Sequence, residues 1–316
     1  MADRAAGYFW QAGLERRRTS LVCPEKPERC AVLMPERIFR AAGVAGRAET
    51  FAARGESILR PVHERVYIEK VKTAHRAGMR YLDAGETEVT ADVFEQALWA
   101  ASAGCEAVER VLAGEFLAAF CAVRPPGHHA NRHRALGFCV FNNAAVAAAH
   151  ALSHPGIDRV MVLDWDVHPG NGTMEIFLDD PAVFTLSIHQ AGLFPESGRE
   201  DIKGRGAGEG FHRNVVIPPG TPTPDYLARF EQALAESVDA FAPALLIVSA
   251  GFDAHYGDPA SKLGLDADSF AQMTRLALQA TAPHTAGRTV SILEGGYNLS
   301  ALVDCVAAHY RVLCGA

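Results

Sequence analysis

Four short apolar runs in this chain each end in a cluster of polar residues, and that pairing constrains the fold more than any other feature. The run from Phe116 to Val123 leads into Arg124-Pro125-Pro126-Gly127-His128-His129. Val160-Met161-Val162-Leu163 leads into Asp164-Trp165-Asp166-Val167-His168. Leu246-Ile247-Val248-Ser249-Ala250 leads into Gly251-Phe252-Asp253-Ala254-His255, and Val290-Ser291-Ile292-Leu293 into Glu294-Gly295-Gly296-Tyr297-Asn298. Continuous apolar runs of this length suit strands buried on both faces. Further strands are expected at Val183 to His189 and Asn214 to Ile217. Helical patterns separate them, at Asn142 to His154, Asp225 to Phe241, Ser269 to Thr281 and Leu299 to Leu313. The alternation predicts an α/β fold with a central parallel sheet and helices on both faces. In open α/β sheets ligands bind outside the carboxyl ends of the strands, so the four polar loops are expected to meet in one crevice.

The part before Phe116 carries less signal. Glu36 to Ala42, Val62 to Arg76 and Thr90 to Ala113 read as helices, the last closed by Gly114. Cys23 to Arg29 reads as a Pro-bearing loop. No repeat or linker divides the 316 residues, which predicts a single domain over 1–316. The net charge of −7 comes without any run of Lys and Arg, which argues against nucleic acid as an obligatory partner. Seven cysteines, an odd number with no C-x-x-C pair, read as reduced thiols. The N-terminal residues show no signal-peptide core and no run reaches membrane-spanning length. A soluble, cytoplasmic protein without a membrane partner is the expectation.

The chemistry starts at Asp164 to Thr173. Side chains alternate along a strand, so Asp164, Asp166 and His168 share one face and Trp165 and Val167 the other. Two carboxylates and an imidazole at a buried strand end need compensation, and a divalent cation provides it. A strand-end turn rich in Asp, Asn and Gly is the plainer reading of this stretch alone. With Asp253 added from a second loop, Asp166, His168 and Asp253 make three ligands and leave a position open, the pattern of a catalytic zinc. Such a metal polarises a carbonyl and lowers the pKa of bound water toward ~7. His128 and His129 are candidates for general base and acid. Asp164 can orient an imidazole. Tyr297, after two glycines, can donate to an oxyanion. Together these groups describe hydrolysis of an amide-like bond.

Five motifs now carry a resemblance. R-P-P-G-H-H-A (Arg124 to Ala130), G-F-C-x-F-N-N (Gly137 to Asn143), D-W-D-V-H-x-G-N-G-T (Asp164 to Thr173), S-A-G-F-D-A-H (Ser249 to His255) and E-G-G-Y-N (Glu294 to Asn298) resemble the zinc-dependent histone deacetylase family. The closest pattern is the class II branch with its bacterial deacetylase-like amidohydrolases, and the likeness runs from about Tyr81 to Gly315. The resemblance implies the three-layer arginase–deacetylase fold and an acylated amine as substrate: acetyl-lysine in a protein, an acetylpolyamine or a small metabolite. It implies zinc on Asp166, His168 and Asp253, and His129 as general base. It further implies His128 supported by Asp164, and Tyr297 on the substrate carbonyl. Phe138 and Phe194 would wall a narrow channel, with Gly137 near its floor. A structural potassium would lie on the carbonyls of Asp164, Asp166, His168 and Ile188 with the Ser187 hydroxyl, and a second near Phe177 and Val183. A homo-oligomer, dimer or tetramer, is implied by analogy with bacterial members.

The departures are informative. Asn171 stands where the class I branch has Asp behind the second histidine, as class II members do. Pro169 replaces a histidine often found after the ligand, and Cys23 stands where relatives have His. Glu86 falls at the rim position that meets the substrate backbone; an acid there suits an amide N–H or a cationic polyamine, and Asp268 is a similar candidate. The plain alternatives are solvated carboxylates for Glu86 and Asp268, and core aromatics for Phe138 and Phe194. His133, His150, His154, His212, His284 and His309 show no partner pattern and read as solvated or structural. Two other functions remain to be weighed: a binuclear manganese ureohydrolase of the same fold, which the Tyr297 loop opposes, and a non-catalytic acyl-lysine-binding subunit, which the complete ligand and base set opposes.

Overall fold

All eight strands of the structure, a computed structural model that describes residues 6–10 and 33–315, lie in one parallel sheet. They are β1 (Gly7–Trp10), β2 (Arg47–Glu49), β3 (Ala118–Ala122), β4 (Val160–Asp164), β5 (Val183–Gln190), β6 (His212–Ile217), β7 (Leu245–Ala250) and β8 (Thr289–Leu293). Their order is β2-β1-β3-β8-β7-β4-β5-β6, and every pairing is parallel. The helices are α1 (Pro35–Ala42), α2 (Arg65–Thr73), α3 (Val93–Leu112), α4 (Asn143–Leu152), α5 (Asn171–Phe177), α6 (Thr223–Phe241), α7 (Ala267–Thr285) and α8 (Leu299–Leu313). The Cys23 to Arg29 loop lies outside the described residues.

The two sheet faces bury separate cores, as the period of two along each strand requires. Val160 and Val162 of β4 join α2, α3 and α4 in one core. Met161 and Leu163 join α1, α6, α7 and α8 in the other. The alternation continues past the end of β4: Trp165 and Val167 enter the second core, while Asp164, Asp166 and His168 turn to the opposite side. This is the doubly covered α/β sheet expected from the alternation of runs.

Three elements were not legible. β1 has four residues and β2 three, the latter reading Arg-Ala-Glu, too short and too polar for a periodic signal. The Asp, Asn and Gly of Asp164 to Thr173 read as a strand-end turn, yet α5 begins within that stretch at Asn171. That short helix matters, because the N–H groups of Gly172 and Thr173 donate to the His128 carbonyl at 3.0 and 3.3 Å. Gly114, as expected, ends α3 in the left-handed region at φ 74°. No described helix is long and apolar enough to cross a membrane.

Candidate active site

The four polar loops follow β3, β8, β7 and β4, which are consecutive neighbours in the middle of the sheet. Loops that leave adjacent parallel strands at the same end must converge, and these do. A narrow cleft is lined by His128, His129, Gly137, Phe138, Asp166 and Tyr297 among others.

Asp166, His168 and Asp253 come together as predicted. His168 Nδ1 stands 2.9 Å from Asp166 Oδ1 and 3.3 Å from Asp253 Oδ2. Ligand atoms on a tetrahedral zinc with bonds of about 2.0–2.1 Å lie roughly 3.4 Å apart, so the spacing is that of a metal set. The other oxygens are taken by backbone: Gly295 N–H donates to Asp166 Oδ2 at 2.7 Å and Val167 N–H to Asp253 Oδ1 at 2.9 Å. Asp253 Oδ2 is fully buried and accepts no hydrogen bond. An orphaned buried carboxylate oxygen is costly, and a cation at this point would satisfy it. Burial alone would lower the His168 imidazole, yet Asp166 and Asp253 lift it to about 11. The same field that holds a proton on that nitrogen favours a dication there.

The paired histidines are held from three sides. His128 Nδ1 contacts Asp164 Oδ2 at 3.0 Å and His129 Nδ1 contacts Asn171 Oδ1 at 2.7 Å. Their rings stack at 4.0 Å between centroids. Burial opposes charge on His128, but the Asp166 and Asp164 carboxylates override it and raise the imidazole to about 10. His129 goes the other way: burial, then the charges of His128 and His168, push it well below the ordinary value. Neighbouring imidazoles with pKa values driven apart have separate acid–base roles.

Two carboxylates with structural work were not singled out from sequence. Glu294 is fully buried and accepts the N–H groups of Gly127 at 2.7 Å and His128 at 3.2 Å, while Arg124 donates to its carbonyl. Burial pushes its carboxyl up to about 7. Asp258 Oδ2 accepts the N–H groups of Tyr297 at 2.6 Å and Asn298 at 2.9 Å. The Tyr297 loop is thus sharply bent, at Gly296 with φ 125°, and tied down by Asp258.

The predicted channel residues gather at the same place. Leu136 and Cys139 exchange backbone hydrogen bonds at 3.1 and 2.9 Å, closing a turn in which Gly137 and Phe138 have φ of 54° and 66°. Positive φ at both central positions is costly for Phe, and such strain collects at functional sites. A Cβ on Gly137 would stand 2.6 Å from His129 and 2.7 Å from Phe194. The Phe194 ring is 38% exposed and meets His129 edge-on at 5.3 Å. Glu86 is exposed in the turn capped by Asp83; partial burial, then the Asp83 charge, raise its carboxyl, and the charge of His168 only opposes them. Asp268 is exposed in the first turn of α7, where a carboxylate suits the helix terminus, and it joins none of these contacts.

Asp164 and Ser187 are register partners of β4 and β5. The Ser187 hydroxyl lies 2.8 Å from His189 Nδ1 and 3.3 Å from Gly170 N. Near the second implied potassium position, the Phe177 carbonyl already accepts from Asp180 N–H at 2.9 Å and from His212 Nε2 at 2.9 Å.

Residues 23–313 match the family model described as the histone deacetylase domain. The chain belongs to the histone deacetylase family. It is 39% identical to the histone deacetylase-like amidohydrolase of Pseudomonas aeruginosa over 265 residues, 83% of this chain and 69% of that protein. It is 38% identical to the polyamine deacetylase HDAC10 of Homo sapiens over 304 residues, 92% of this chain but 44% of that one. Among solved structures, the HDA15 HD domain superposes with a TM-score of 0.87 at 31% identity, covering 98% of this chain and 89% of the other. The arginase–deacetylase α/β fold is therefore shown. The chain spans 60% of the length of a rice chloroplastic histone deacetylase that it matches at 39% identity.

Gly295 offers a direct test of the ligand geometry. A Cβ there would overlap Asp253 Oδ2 and Asp166 Oδ2 together. Gly295→Ala is expected to lose bound metal while the fold persists, read as metal content beside an unchanged circular dichroism spectrum. Full metal retention would show that Asp253 Oδ2 is not a ligand atom.

Proposed function

We propose that this chain is a zinc-dependent amidohydrolase that removes an acetyl or related acyl group from an amine, with 1–316 as one catalytic domain. The observation that carries the reading is the orphaned oxygen of Asp253, set beside His168 and Asp166, the last of which lines one cleft with a neutral imidazole and a phenol. Zinc held by Asp166, His168 and Asp253 would supply a Lewis acid for the amide carbonyl and an acidified water. His129 donates through Nδ1 to the Asn171 amide oxygen, so its Nε2 carries the lone pair. That nitrogen takes the proton of the attacking water and returns it to the leaving amine. His128, kept charged by Asp164, biases the site toward developing negative charge. Tyr297 donates to the carbonyl oxygen as that charge forms. Phe138 and Phe194 flank the alkyl stem, and Gly137 leaves the room between them.

One structural potassium on Asp164, Ser187 and Ile188, with the carbonyls of Asp166 and His168, belongs to the same reading, as do a cytoplasmic location and a homo-oligomer. Acetylpolyamines are the second reading. It is favoured by the human relative's name and by Glu86, an exposed acid that suits a cationic amine. The ureohydrolase and acyl-lysine-reader readings are not favoured by any contact in the cleft.

The test is one assay of acyl release from acetyl-lysine peptides, trifluoroacetyl-lysine, acetylputrescine and acetylspermidine, with and without chelator. Release that chelation abolishes is the expected result. A strong preference for the polyamines assigns Glu86 the amine, whereas peptide preference returns it to the surface. Absence of chelator-sensitive release from all four would sink the proposal.

A further inference from the structure

A second group of metal-ligand side chains lies away from the catalytic loops. α4 starts beside them, where Asn143 donates to the Pro125 carbonyl at 3.0 Å, and runs roughly 15 Å outward. His150 lies in its last turn and His154 in the turn that follows it, with the two imidazole rings 4.9 Å apart between centroids. Glu109, near the C-terminus of α3, reaches between them. His150 Nε2 is 3.0 Å from Glu109 Oε1 and His154 Nε2 is 3.0 Å from Glu109 Oε2. All three side chains are partly exposed, between 17% and 39%, so an ion could enter from solvent.

The tautomer of His154 is informative. Its Nδ1 lies 3.0 Å from the His150 carbonyl oxygen. A carbonyl only accepts, so Nδ1 carries the hydrogen, and in neutral His154 the Nε2 lone pair points at a carboxylate oxygen. Two acceptors facing each other repel unless a proton or a metal ion stands between them. Arg54 does not fill that gap: its Nη1 approaches the other oxygen, Oε1, at 3.4 Å, and its Nη2 is committed to Glu106 at 3.0 Å. His150 Nε2 and His154 Nε2 each stand 3.0 Å from a Glu109 carboxylate oxygen, near the ~3.4 Å edge of a tetrahedral zinc site, and all three side chains belong to one cluster of ligand atoms. Two imidazoles and one carboxylate suit zinc and its neighbours among the divalent transition metals, and not magnesium or calcium.

We propose that Glu109, His150 and His154 form a second divalent transition-metal site, zinc by preference, that staples α3 to α4 at the end of the molecule away from the catalytic cleft. Solvent would complete the coordination, and because the cluster lies away from the catalytic loops its role is to tie the two segments together. Neither histidine showed a partner in the sequence, because Glu109 is 41 and 45 residues away in the chain.

Zinc per chain, measured by mass spectrometry after equilibration with micromolar free zinc, tests this. The double variant His150→Gln, His154→Gln is expected to hold one zinc fewer than the wild type, whatever the wild-type count. Its turnover should be unchanged after dialysis, and zinc should no longer raise its Tm. Arg54→Gln should tighten the second zinc, since it removes a competing cation from Glu109. An equal zinc count in the double variant with intact helical circular dichroism would overturn the site, and that result would leave the catalytic assignment untouched.

Discussion

Tyr297→Phe is expected to keep its metal and lower kcat by about 10²–10³-fold, the usual cost of one oxyanion donor. The ring stays, so packing in the cleft changes little, and only the hydroxyl is lost. Its place in the cleft is set by the backbone: Asp258 holds the N–H groups of Tyr297 and Asn298, Gly295 lets the chain pass directly against Asp166 and Asp253, and Gly296 bends it. A donor that acts only as charge develops on the carbonyl stabilises the transition state more than the bound substrate. The loss should therefore fall on kcat, with KM nearly unchanged. Metal analysis beside steady-state kinetics reads both expectations. Wild-type kcat in the Phe variant would remove the phenol from the reaction; loss of metal would make Tyr297 part of the ligand scaffold instead.

Much of this site was legible because each of its loops leaves a strand that writes a short apolar run. Met161 and Leu163 against Val160 and Val162 carry the period of two, and the residues after them keep the register, so Asp166 and His168 could be placed on one face without a structure. Asp253, the paired histidines and Tyr297 follow from the same logic, reinforced by the family resemblance. What stayed hidden acts across sequence distance or through the backbone. Asp258 and Glu294 position catalytic loops by accepting backbone N–H groups, and a backbone donor has no residue type to read. The strain at Phe138 is a φ value, which a phenylalanine in a sequence does not declare. β2 consists of Arg47, Ala48 and Glu49; ion pairs with Glu49 and the pairing to β1 hold it, so hydrophobic pattern was never its signal. His212 read as an isolated histidine, yet it ties Thr185 to the Phe177 carbonyl.

His129→Ala is expected to cost about 10²–10⁴-fold in kcat/KM, the range for a positioned general base. The pH profile then separates a base from a merely structural imidazole. A base works only when deprotonated, so the rate falls on the acid side as pH drops through its pKa. Burial, then the charges of His128 and His168, hold His129 well below the ordinary imidazole value of about 6.5, so the acid limb should lie below that value. Asn171 is the lever. Its amide oxygen accepts from His129 Nδ1 at 2.7 Å without adding a negative charge. Asn171→Asp puts a carboxylate at the same atom, which stabilises the imidazolium and raises the pKa. The acid limb must then move to higher pH, toward neutrality, while the plateau above it persists. A carboxylate in place of the amide leaves the ring orientation intact, so the shift reads the added charge on His129 and not a displaced ring. An acid limb that stays in place in Asn171→Asp, or moves down, would mean that the limb belongs to another group and that His129 is not the base.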